Sequence, residues 1–131
     1  MNQEDGHKPP LVDESVLARL RSETDNDDSV WKVFVRDFIT HMPLRIGKLR
    51  AALTSGDVKG AMDAVLSLRT SAQMVGALQL AGLTLELEQA LRRVSRDPDA
   101  PGILPGLAAQ HLRRILYCAQ RTSHQLEILI K

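Results

Sequence analysis

Apolar residues recur along this chain at alternating intervals of three and four, the period of a helix with one buried side. The pattern is clearest from Gly56 to Ala77, where Val58, Ala61, Val65, Leu68, Ala72 and Val75 form an unbroken stripe. A second row, Lys59, Met62, Leu66, Arg69, Thr70 and Gln73, points away from that stripe. It is mostly polar with Leu66 at its middle, so it is expected to meet solvent or a partner.

Upstream, the apolar character begins at Leu11. Asp13 can cap a short helix on which Val12, Val16, Leu17 and Leu20 make one side. So short a helix must lie across a larger body. The run Thr24 to Asp28 reads as a loop whose acidic residues suit the start of the next helix. Val30, Phe34, Phe38, Met42, Ile46, Leu49 and Leu53 then predict the inward side of a long helix ending at Ser55-Gly56. Its length is about 26 residues, or roughly 39 Å at 1.5 Å per residue. Pro43 lies inside it, and because the period continues on both sides a bend is expected rather than a break.

Downstream, Gly76 interrupts the pattern and Leu80, Thr84, Leu87, Leu91 and Val94 begin a new inward row. The segment from Arg96 to Gly106 has three prolines and two glycines, which predicts a loop. From Leu107 the residues Ala108, Leu112, Ile115, Ala119, Thr122, Leu126 and Leu129 predict a last helix of about six turns. No alternating, strand-like pattern competes. The expectation is an all-α fold, an up-and-down antiparallel four-helix bundle with a short N-terminal lid helix.

Length and composition narrow this further. A chain of 131 residues suits one domain with a self-sufficient core. The 17 basic and 16 acidic residues leave a net charge of +1, so no global field argues for nucleic acid or an anionic membrane. Met1 to Pro10 is polar and ends in Pro-Pro, which predicts a disordered tail before a single domain over 11–131. It lacks the apolar core of a signal peptide, and no 18-residue apolar span follows, so a cytoplasmic location is expected.

The organising stretch carries a resemblance. A Gly-Asp start, a histidine nine residues after the Asp, one further residue, Leu-Lys-Gly-Ser-Ala and a later Gly-Ala make up the signature of histidine phosphotransfer (HPt) domains. Gly56, Asp57, Leu68, Ser71, Ala72, Gly76 and Ala77 match it, Arg69 stands for the lysine, and Leu87-Glu88 resembles the family's next helix. Two positions depart. Leu66 occupies the place of the phosphorylatable histidine, and Thr70 puts a branched side chain where the family has glycine. The resemblance implies an HPt-like signalling module of a two-component phosphorelay. Its partners would be a response-regulator receiver domain or a histidine kinase.

Because leucine cannot take a phosphoryl group, the expected function is binding without phosphotransfer, and no enzyme activity. Met62, Leu66, Arg69, Thr70 and Gln73 are the expected partner-binding surface, with Arg69 facing the acidic pocket of a receiver domain as the family's lysine does. Two alternatives stand beside this: phosphotransfer through another histidine, His41, or a structural bundle whose former active face has become a homodimer contact. His7 lies in the tail, and the 13-position separation of His111 and His124 turns about 220° on a helix, which sets them apart. No metal pair results. Nor is there a Gly-rich phosphate loop or a catalytic triad, so no cofactor is expected. Cys118 reads as a packed thiol, since only Arg114 and Arg121 stand near enough to lower its pKa.

Overall fold

The computed structural model describes residues 9–131. It contains five helices, α1 (Glu14–Glu23), α2 (Asp28–Ser55), α3 (Val58–Met74), α4 (Leu78–Val94) and α5 (Ala100–Leu129), and no strand among the described residues. Of the tail expected over 1–10, residues 1–8 lie outside the described residues; the Pro9 carbonyl accepts a hydrogen bond from Gln79 Nε2 at 2.9 Å.

The four long helices close a ring in which α2 packs on α3, α3 on α4, α4 on α5 and α5 on α2. Short α1 rests against α2, as a helix with one apolar side and no core of its own must. Inside the ring, Leu49, Leu53, Val65, Leu68, Leu80, Leu87, Leu91, Leu104 and Leu126 have no exposed surface. Burying each such side chain contributes about 1.5–3 kcal/mol, so the apolar stripes account for the assembly of the bundle.

Sharp reversals keep the helices in register. Gly56 ends α2 in the left-handed region at φ 75°, with Asp57 N–H reaching back to the Ala52 carbonyl at 2.9 Å. A Cβ at Gly56 would lie 2.7 Å from the Pro101 carbonyl oxygen of α5, so this turn tolerates no side chain on two counts. Asp57 then caps α3, its carboxylate accepting the Gly60 N–H at 2.9 Å. Asp57→Ala should therefore lower unfolding stability by about 1 kcal/mol in urea titrations with the midpoint shifted and the slope unchanged. At the other end of α3, Gly76 also has φ 75°, and its carbonyl receives the Asp13 N–H at 2.7 Å, which ties the start of α1 to the α3–α4 turn.

Three expectations are corrected. Val30 is half exposed and Phe34 only partly buried; Trp31 and Val35 carry the first turns of α2 into the core instead. Trp31 and Val35 continue the 3 and 4 spacing of the buried Phe38, Met42, Ile46 and Leu49, and Trp31 lies beside Arg21 of α1. The proline-rich segment is not a loop up to Gly106: α5 begins at Ala100 and includes Pro101 and Pro105, so the link from α4 is only Ser95 to Asp99. Proline is tolerated in a first helical turn because the N–H it lacks would have no partner there. Pro105 comes one turn later, so the Pro101 carbonyl has no donor at its i+4 position; this is the carbonyl that faces Gly56. Lastly, Val58, Val94 and Leu129, expected inward, are only partly buried.

Candidate partner-binding face

On α3 the stripe Ala61, Val65, Leu68 and Ala72 is fully buried, which turns the second row outward between solvent and α4. Thr70 and Gln73 are exposed. Met62 and Leu66 are partly buried, each packed against the edge of the core. Leu66 is thus a shoulder of the core with a free outer side, neither an isolated surface leucine nor a buried one.

Arg69 departs furthest from the sequence expectation. Its Nη1 lies 2.5 Å from Oε1 of Glu88 on α4, while Arg92 Nε and Nη2 donate to Glu88 Oε2 at 2.9 and 2.7 Å. Glu88 is 5% exposed, so its carboxylate is a buried anion between two guanidinium groups. The Arg69 contact is an ion pair without hydrogen-bond alignment, since among the described residues neither Glu88 Oε1 nor Arg69 Nε has a hydrogen-bond partner. Rather than standing free to meet an acidic pocket, the guanidinium at the motif's basic position is committed to the α3–α4 seam. A buried carboxylate requires such partners because desolvation is otherwise unrepaid. The sequence signal was the i, i+4 pair Glu88 and Arg92, which marks a charged edge on α4 without pointing to α3.

A second feature was missed. On the opposite flank of α3, a groove of about 620 Å3 runs between α2 and α3, with His41, Arg45 and Lys48 on one wall and Asp57, Asp63 and Ser67 on the other. His41 is exposed, and its Nδ1 lies 2.7 Å from the Asp37 carbonyl. A carbonyl only accepts, so Nδ1 carries the proton and Nε2 is left as the acceptor of the neutral ring. The spacing of 41, 45 and 48 could have revealed this wall, since all three fall off the apolar row on one side of α2.

Cys118 is buried and His111 partly buried, both on α5. Burial pushes the Cys118 thiol above its ordinary pKa, a hydrogen bond with Thr122 and the charge of Arg121 opposing, so it stays protonated at neutral pH. Burial, followed by Arg114, holds His111 on α5 below the usual imidazole range. Among the described residues no three His, Cys, Asp or Glu side chains gather as a metal site. No helix among them is long and apolar enough to cross a membrane.

With this geometry in place, the comparisons with known proteins agree with the motif on α3. The family model of the Hpt domain matches residues 33–121, which takes in α2, α3, α4 and most of α5. The chain belongs to the Hpt domain family. Among solved structures it is similar to histidine-containing phosphotransfer protein B (HptB) from Pseudomonas aeruginosa PAO1. The TM-score is 0.59 at 25% identity, covering 89% of this chain and 98% of that one. No curated protein matches it. As an Hpt domain the chain is a phosphorelay-type signalling module, built on the helical bundle that α2 to α5 form. HPt domains interact with histidine kinases and receiver domains in phosphorelays. Leu66 lies on α3 within the matched range, one turn before an Arg69 whose charge is matched internally by Glu88.

Proposed function

We propose that this Hpt domain binds a receiver domain or a histidine kinase through the outer side of α3 and takes no phosphoryl group itself. The observation that carries the reading is Leu66: phosphotransfer through this motif needs an imidazole nitrogen as nucleophile, and an isobutyl side chain offers none. Two features support it. Met62 and Leu66 present apolar surface at the centre, while Thr70 and Gln73 give it a polar edge, the distribution of a protein interface. Arg69, held by Glu88, contributes little free charge to attract a phosphoryl group. Thr70 further crowds the position one turn from Leu66.

The test is incubation of the chain with a phosphorylated receiver domain carrying labelled phosphate, alongside a pull-down against the receiver domains of the same cell. The expected result is a bound receiver and an unlabelled chain. Acid-labile label on the chain that disappears in His41→Ala would overturn the reading and make His41 the acceptor. Leu66→His alone is expected to restore little transfer, and Leu66→His with Thr70→Gly to restore more.

A further inference from the structure

The groove between α2 and α3 lies on the other flank of α3 from Leu66, so what it binds does not depend on the reading above. Its charges are unequally engaged. Both carboxylates are occupied within their own helix: Asp57 accepts the Gly60 N–H as the α3 cap, and Asp63 Oδ2 lies 3.0 Å from Lys59 Nζ. The cations of the facing wall are not. Among the described residues neither Arg45 nor Lys48 has a carboxylate within 4.0 Å, although both line the groove.

Arg45 is the telling side chain. Its Nη1 donates to Ser67 Oγ at 2.6 Å across the groove, which fixes the guanidinium in place. Its Nε is buried yet has no hydrogen-bond partner among the described residues. A buried N–H without an acceptor is unfavourable because it has lost water and gained nothing; Nη1 of the same guanidinium is the group that reaches across the groove. Lys48, a turn further along α2, adds a second cation to the same wall, and His41, a turn before, adds an imidazole that becomes a donor at Nε2 when protonated.

We propose that this groove binds a phosphorylated small molecule of nucleotide size, with Arg45 and Lys48 taking its phosphoryl oxygens. A phosphoryl group suits the donor set better than a carboxylate. It has three oxygens and up to two charges for an arginine fork, an ammonium and a hydroxyl, whereas a carboxylate has two oxygens and one charge. The volume is far beyond what a phosphate ion fills and falls in the range of small-molecule sites, about 300–1,000 Å3. The rest of the groove suits the non-phosphate part of such a ligand. Leu44 is 58% exposed at its rim, and Ala51, Ala52 and Ala64 leave shallow apolar wall for a flat ring.

The experiment is isothermal titration calorimetry of the whole chain with adenosine and guanosine monophosphate, the matching nucleosides and inorganic phosphate. At least one nucleotide is expected to saturate a single site, more tightly than inorganic phosphate and than its nucleoside. Arg45→Gln should weaken it by about tenfold or more, the loss of a charge-assisted contact, and Lys48→Gln should weaken it as well. Arg113→Gln, an exposed position on α5 away from the groove, should bind as the parent does. Circular dichroism reports whether each variant is folded, and if Arg45→Gln is not, Lys48→Gln carries the test. Absence of saturable heat with both nucleotides at millimolar concentration would overturn the proposal. Equal binding by nucleoside and nucleotide would do the same, as would unchanged affinity in the folded variants.

Discussion

Leu66→Asp is expected to weaken binding of the partner receiver domain or kinase by about 10- to 150-fold, the equivalent of about 1.5–3 kcal/mol of lost apolar burial. The size follows from position. Leu66 is the central apolar residue of the outer row, with Met62 one turn before it and exposed Thr70 one turn after. A carboxylate there would have to be desolvated against a partner built for an alkyl group. Since Leu66 is partly buried at the edge of the core, some of the free energy will also appear as lost stability, which urea unfolding reads separately. Thr70→Asp provides the control. Its side chain is exposed, so it should leave unfolding unchanged while still weakening binding. Both variants binding as tightly as the parent would show that the partner docks elsewhere.

Arg69→Ala should behave differently, lowering stability by about 2–3 kcal/mol. The substitution leaves Glu88 buried with Arg92 as its one remaining cation. Removing one member of a fully buried pair costs about 3–5 kcal/mol, but the Arg92 side chain is 60% exposed and the Arg69 side chain 26%, so solvent reduces the value. A docking charge on the surface would instead change association rate and its salt dependence, with stability hardly affected. The double variant Arg69→Met, Glu88→Leu is expected to recover most of the loss, because an apolar pair of similar volume removes the need to solvate a buried anion. A stability change in Arg69→Ala below about 0.5 kcal/mol would place the guanidinium on the free surface and return it to the binding face.

Arg69 also marks the boundary of what could be read from the chain alone. Helical spacing put it on the outer row with Leu66, and on an isolated helix that is where it lies. Its side chain is long enough to turn back to α4, and the group that draws it there is 19 positions away. Pro101 and Pro105 mark a second boundary. A segment rich in proline and glycine favours a loop when judged by local preference, but a helix that starts at Ala100 places one proline in its unbonded first turn. Packing of the Pro101 carbonyl against Gly56 then completes the corner.

The order and number of the helices, the buried stripes of α3 and α5 and the breaks at Gly56 and Gly76 were already determined by the sequence. So was the family, because a motif on one helix face is a local arrangement of residue types. These features depend on hydrophobic period and on the backbone freedom of single residues, both of which act within a turn or two of chain. Tertiary structure alone decided that Glu88 would absorb the charge of Arg69 and that Arg45 would meet Ser67 across a groove. Each of these is a contact between side chains on different helices. Helical periodicity states which way a residue points but not what stands opposite, and only the packing of the bundle supplies the partner, the desolvation and therefore the chemistry.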